Sequence, residues 1–108
     1  GEIFIKKLPS MKVVDIARVI APKLRTEVIG KRPGEKVHEQ MISIEDSDNT
    51  YEYKDHFKII PTFKKINTDK GIKVKNGFSY ISNNNEYWMN ENELREWISK
   101  NQSIIGQI

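Results

Sequence analysis

Proline stands at positions 9, 22, 33 and 61, and these residues cut the first sixty positions into short lengths that must each start anew. Proline lacks a backbone donor and disfavours helix in the residue before it, so neither a helix nor a central strand runs through one. The first length holds Ile3-Phe4-Ile5, a β-prone run that predicts a strand ahead of the breaker Pro9-Ser10. Ser10 is expected to cap a helix in which Val13, Ile16, Ala17, Ile20 and Leu24 recur at helical spacing, with one face in the core and Pro22 ending or kinking it. Thr26 to Ile29 reads as a second short strand, the turn signal falls in Gly30 to Glu35, and Val37 to Ile44 resumes an extended pattern, so two strands are expected to flank a Pro-Gly turn. The acidic stretch Glu45 to Asn49 reads as a loop, and Tyr51, Tyr53, Phe57, Ile59 and Ile60 as one extended segment stopped by Pro61.

Beyond Pro61, the lysine-rich stretch from Lys64 to Gly77 predicts a solvated loop or an edge hairpin guarded by charge, a wet surface being favoured over a binding patch. Phe78 to Ile81 is expected to form a last strand before a turn at Asn83-Asn84-Asn85. The final helix carries the sharpest local signal. Asn90 with Glu93 three residues on makes a capping box, Met89 and Leu94 have the spacing of a hydrophobic staple, and Leu94, Trp97 and Ile98 form the apolar side, with Trp97 placed in the core.

A chain of 108 residues with 37% hydrophobic and 31% charged residues suits one ordered domain, or a piece of one, with a modest core. The net charge of +3 comes from 18 basic and 15 acidic residues of interspersed sign, so no single-sign field is forced and no nucleic-acid partner is expected. The absence of cysteine excludes disulfides and thiolate metal sites and fits a reducing compartment, hence an expected cytoplasmic location. No apolar run approaches the roughly 18 residues of a membrane span. The opening Gly1-Glu2-Ile3-Phe4, with neither an initiator methionine nor a signal-peptide pattern, predicts a piece of a longer protein.

The chemistry-bearing motifs are mostly missing. No glycine-rich strand-to-helix turn is present to hold a dinucleotide pyrophosphate, and none of Tyr51, Tyr53, Tyr80 and Tyr87 has the lysine four residues on that would make its phenol an acid or base. His38 and His56 lack metal-ligand spacing, and no Gly-x-Ser-x-Gly elbow occurs. No catalytic, cofactor-binding or metal-ligating residue is therefore predicted in the chain. What remains is Arg32-Pro33-Gly34-Glu35, in which Pro33 and Gly34 support a type II turn whose ends carry a guanidinium and a carboxylate. An arginine fork suits a diphosphate and a carboxylate suits two vicinal hydroxyls. From these four residues alone, simple pairing of Arg32 with Glu35 across an exposed turn is the favoured reading.

Three longer stretches change that balance: Gly1-Glu2-Ile3-Phe4-Ile5 with Leu8-Pro9-Ser10-Met11-Lys12, then Ile29 through Glu39, then Tyr80-Ile81-Ser82-Asn83-Asn84-Asn85 followed by Trp88. In order and over nearly the whole chain, they resemble the inverting UDP-N-acetylglucosamine 4,6-dehydratases. Arg-Pro-Gly-Glu by itself marks only the extended short-chain dehydrogenases acting on nucleotide sugars; the Pro-Ser-Met-Lys block and the asparagine-rich tail narrow the resemblance. It departs at Lys31, where a smaller or apolar residue is expected, and at Gln40.

The resemblance implies an α/β enzyme with an NAD(P)-binding Rossmann domain. Residues 1–108 would be its C-terminal, small mixed α+β substrate-binding portion, with the Rossmann domain absent from this chain. It implies UDP-N-acetylglucosamine as substrate, NADP as the cofactor of the whole enzyme, Arg32 on the diphosphate, Glu35 on the uridine ribose, and Pro33 and Gly34 as the supporting turn. A related epimerase and a non-enzymatic interaction or oligomerisation domain stay open beside it. The portion alone is expected to be inactive and to self-associate or be only marginally stable, a homo-oligomer being one outcome.

Overall fold

The computed structural model describes residues 1–63 and 71–106. The chain divides into two compact units, Gly1–Leu8 with Val37–Asn85 and Pro9–Lys36 with Glu86–Ile108.

The first unit is built on antiparallel strands. β1 (Ile3–Lys6), β3 (Thr50–Glu52), β4 (His56–Ile59) and β5 (Ile72–Lys73) make one sheet in the order β1-β4-β3-β5, while β2 (Gln40–Ile42) pairs with β6 (Tyr80–Ile81) in a second. Strand alternation sorts the side chains. Ile5 lies opposite Phe57 and is buried with it, whereas Phe4 opposite Lys58 and Lys6 opposite His56 take the other face. The core comprises Ile5, Ile42, Phe57, Val74 and Tyr80, with Ile59 and Phe78 packed against it; the Phe57 ring lies 5.2 Å from Tyr80 and 5.4 Å from Phe78. Burying each such side chain contributes about 1.5–3 kcal/mol.

Several expectations hold here and three change. β1, β6 and the asparagine turn fall where predicted, and β5 is an edge strand inside the lysine-rich stretch, whose residues 64–70 lie outside the described residues. The extended Val37–Ile44 pattern shrinks to β2. The single segment expected across Tyr51–Ile60 is instead a hairpin, β3 to β4, closed by Tyr53 N–H on the His56 carbonyl at 2.9 Å. The acidic loop at Glu45–Asn49 is a 3₁₀ helix. Its buried Ser47 donates from Oγ to the Ile44 carbonyl at 2.6 Å, and the fully buried Thr50 donates to the Asp46 carbonyl at 2.7 Å, so short polar side chains close the turns that acidic composition alone reads as open.

The second unit holds α1 (Val13–Ile20), α2 (Glu91–Lys100) and α3 (Gln102–Ile105). α1 ends ahead of Pro22 as expected, but Ser10 does not cap it. The first-turn cap is Lys12 without a side-chain bond, while Ser10 is buried and forms a bridge beside Trp88, accepting from Met89 N–H at 2.8 Å and donating its own N–H to the Tyr87 carbonyl at 2.9 Å. No residue of α1 is fully buried, contrary to its expected core face, because the unit buries little beyond Met89 and Leu94. The capping box of α2 is complete: Asn90 Oδ1 accepts from Glu93 N–H at 2.9 Å and Glu93 Oε1 from Asn90 N–H at 3.3 Å. Met89 and Leu94 flank it, both buried. Trp97, expected in the core, is 45% exposed, while Leu94 on the same helix is buried. Arg18 ties α1 to α2 through Glu91 at 3.0 Å. No helix among the described residues is long and apolar enough to cross a membrane.

Candidate functional site

Between Pro22 and Lys36 the backbone forms neither helix nor strand, and every side chain is exposed. The strand expected at Thr26–Ile29 is absent: Val28 is 93% exposed, and no neighbouring strand offers its backbone a ladder. β-branched residues favour a pleated surface only where there is one to join.

Inside this segment the Arg32–Glu35 turn forms as its chemistry dictates. Glu35 N–H donates to the Arg32 carbonyl at 3.1 Å, and Gly34 takes φ +83°, the positive value that the third position of a type II turn requires. The two end residues face each other. Glu35 Oε2 accepts from the Arg32 backbone N–H at 3.1 Å, and its Oε1 lies 3.9 Å from Arg32 Nε, with the side chains 75% and 52% exposed. A pair this long and wet contributes little to stability. The Arg32 Nη groups make no bond among the described residues, so the outer edge of the fork is open to an anion while Glu35 steadies its base. No atom lies within 4 Å of where a Cβ on Gly34 would sit, so the turn also has open space beside it.

A second constellation, which no sequence motif announces, lies on the outward face of the first unit's sheet. Tyr53 stacks on His56 at 4.6 Å with the rings 5° from parallel, Phe4 lies 5.7 Å from the same imidazole, and Lys58 Nζ sits 4.9 Å from the Phe4 ring and 5.1 Å from Tyr53. Lys58 also pairs with Glu2 at 2.9 Å, and the Glu2 carboxylate holds the ammonium above its ordinary range. Asp55 sits 2.8 Å from His56 Nδ1, which holds its carboxyl below the usual value. The register explains the cluster, since Phe4 and Lys58 are direct partners. The signal was present in the alternation of β1, but it needed the pairing with β4 to be read. His38 joins neither group, and the described residues contain no set of three or more His, Cys, Asp or Glu side chains placed to hold a metal.

Comparison with known proteins follows the chain closely. The family described as polysaccharide biosynthesis protein matches residues 1–61. A UDP-N-acetylglucosamine 4,6-dehydratase (inverting) of Campylobacter jejuni subsp. jejuni serotype O:2 is 49% identical over 92% of this chain and 33% of its own length. Its counterpart from serotype O:23/36 is 46% identical over the same shares. Among solved structures, Pen from Bacillus thuringiensis superposes with a TM-score of 0.79 at 28% identity, over 94% of this chain and 32% of that one. The chain thus spans about a third of the length of the curated relatives it matches.

Proposed function

Because the chain belongs to the polysaccharide biosynthesis protein family, we propose that it is the C-terminal, nucleotide-sugar-binding portion of a UDP-N-acetylglucosamine 4,6-dehydratase. In that enzyme Arg32 would grip the UDP diphosphate and Glu35 the uridine ribose. The observation that carries this reading is the preformed turn within a chain 49% identical to such a dehydratase. Pro33 and Gly34 hold the two ends close, so binding orders few new dihedrals, and an exposed Arg32 fork exchanges a weak intramolecular contact for two parallel bonds to phosphate oxygens. Glu35 offers a carboxylate suited to adjacent ribose hydroxyls.

The residues of this chain do not fit an NADP site. None of its tyrosines is followed by a lysine at the fourth position, no glycine-rich strand-to-helix turn occurs, and the Tyr80 hydroxyl is engaged by Leu8. Redox and proton transfer accordingly belong, in this reading, to polypeptide outside residues 1–108. The contribution of this portion is binding energy on the UDP end, which orients the sugar for reaction elsewhere. Exposed Val13, Val28 and Ile104 support its working against further polypeptide, a Rossmann domain or a second copy.

Full-length protein incubated with UDP-N-acetylglucosamine should release a 4-keto-6-deoxy product, and residues 1–108 alone should release none. A product differing only at the 4-hydroxyl would instead mark a UDP-sugar epimerase of the same class. Failure of the full-length protein to bind UDP at all would overturn both and favour an interaction domain.

A further inference from the structure

Basic and acidic residues are interspersed along the chain, but the balance fails in one exposed segment. Residues 22–36 carry Lys23, Arg25, Lys31, Arg32 and Lys36 against Glu27 and Glu35, an excess of three positive charges that equals the net +3 of the entire chain. Outside the segment thirteen basic and thirteen acidic residues cancel in sum, the five lysines against one aspartate between Lys64 and Gly77 being offset by acidic residues elsewhere. All fifteen positions of the segment are exposed. Arg32 alone of its five cations has an acidic partner among the described residues, and that is the 3.9 Å contact to Glu35; Lys23, Arg25, Lys31 and Lys36 have none.

We infer that residues 22–36 form an electrostatic trap that draws in the anionic end of the nucleotide-sugar and passes it to the Arg32 fork. This role rests on the reading above and adds to it four cations that need never touch the bound ligand. Unpaired cations held in solvent stabilise nothing in the resting fold, yet they raise the local concentration of a small anion within a Debye length, about 10 Å at 0.1 M ionic strength. Lys31 and Lys36 lie within four residues of Arg32, so their field overlaps the mouth of the turn. A short nucleoside diphosphate suits an excess confined to fifteen residues. A nucleic acid would look for aromatic stacking platforms, of which the segment has none.

The test is the association rate of UDP with the full-length protein by stopped flow, at about 0.02 M and about 0.5 M salt, with uridine as the uncharged control. Arg25→Gln, Lys31→Gln and Lys36→Gln together bring the segment to zero net charge. They should slow UDP association about tenfold at low salt, leave dissociation within about twofold, and flatten the salt dependence, with uridine unaffected. Thr26→Lys should do the reverse, raising the low-salt rate and steepening its fall with salt. If UDP binds but the triple variant associates as fast as the unaltered protein at low salt, the trap is refuted while the Arg32 site stands. If UDP fails to bind the unaltered protein, the functional reading falls and takes the trap with it. If a single-stranded oligonucleotide binds more tightly than UDP at equal salt and the triple variant loses it, the segment serves a nucleic acid and the inference is overturned.

Discussion

The Tyr80 hydroxyl holds both polar groups of one distant residue, accepting from the Leu8 N–H at 2.9 Å and donating to the Leu8 carbonyl at 3.1 Å. The two residues are 72 positions apart in the chain, and Asn85 Nδ2 reaches the same carbonyl at 2.6 Å. A phenol buried in the core by its ring thus satisfies with its tip the backbone where β1 runs out.

Tyr80→Phe keeps the ring and removes the tip. The Leu8 carbonyl retains Asn85, but its N–H loses its partner, and losing one such hydrogen bond at a residue 46% exposed costs about 0.5–1.5 kcal/mol. Urea unfolding should show the midpoint falling with an unchanged slope, and the Leu8 amide should exchange faster with solvent than in the unaltered protein. An unchanged midpoint would mean that water replaces the phenol at no cost.

Arg32→Ala should weaken UDP binding at least tenfold in the full-length protein, the loss of a charge-assisted bond of about 2 kcal/mol. Arg32→Lys should recover only part of that, since an ammonium cannot make two parallel bonds. Glu35→Gln should cost less than Arg32→Ala, because the amide oxygen still accepts. Calorimetry with UDP, beside circular dichroism to establish folding, decides the matter, and unchanged UDP affinity in Arg32→Ala leaves the exposed, self-paired turn as the better account.

Gly34 adopts a positive φ with open space around it, so alanine there meets backbone strain of roughly 1–2 kcal/mol and no steric clash. In the full-length protein Gly34→Ala should weaken UDP binding by loosening the turn while leaving the melting temperature nearly unchanged, the segment being unpacked. Gly34→Asn, which tolerates this region better, should fall between the two. A melting temperature that drops with affinity intact would separate the turn from binding.

Two limbs of the pH–stability curve follow from the outward face of the sheet. Lys58 has a folded pKa raised by Glu2, so its stabilisation is fully present below the ordinary 10.5 and is lost as pH rises through the higher folded value. Asp55 has a folded pKa lowered by His56, so its stabilisation is present above the ordinary 3.8 and is lost as pH falls through the lower folded value. Thermal melts across pH should show Glu2→Gln flattening the alkaline limb and Asp55→Asn the acid limb.

What sequence made legible divides along physical lines. The α2 cap, the Pro33-Gly34 turn and the end of α1 depend on residues within four positions of one another, and all three fall as expected. The hydroxyl of Ser10 suits a cap, but its backbone bridges to Trp88, 78 positions later, which no local pattern signals. The hairpin between Glu52 and His56 leaves no mark in the sequence, because Lys54-Asp55 lacks the glycine that usually announces such a turn. At Thr26–Ile29 propensity was real but no partner strand came with it. The Arg32–Glu35 juxtaposition was legible from four residues, and what it binds was not, because a salt-bridged turn and a phosphate-binding turn begin from the same geometry.

The pairing of β1 with β4 has a consequence for synthesis. Ile3 finds Ile59 across the sheet, so the β1–β4 pairing cannot form on the ribosome until residues 56–59 have followed. At about 5–20 residues per second, that pairing waits roughly 3–10 s in every nascent chain. During that interval neither edge of β1 has its partner within this unit, and one edge keeps none among the described residues after β4 arrives, which makes β1 the stretch of this unit that a holdase chaperone would have most reason to cover.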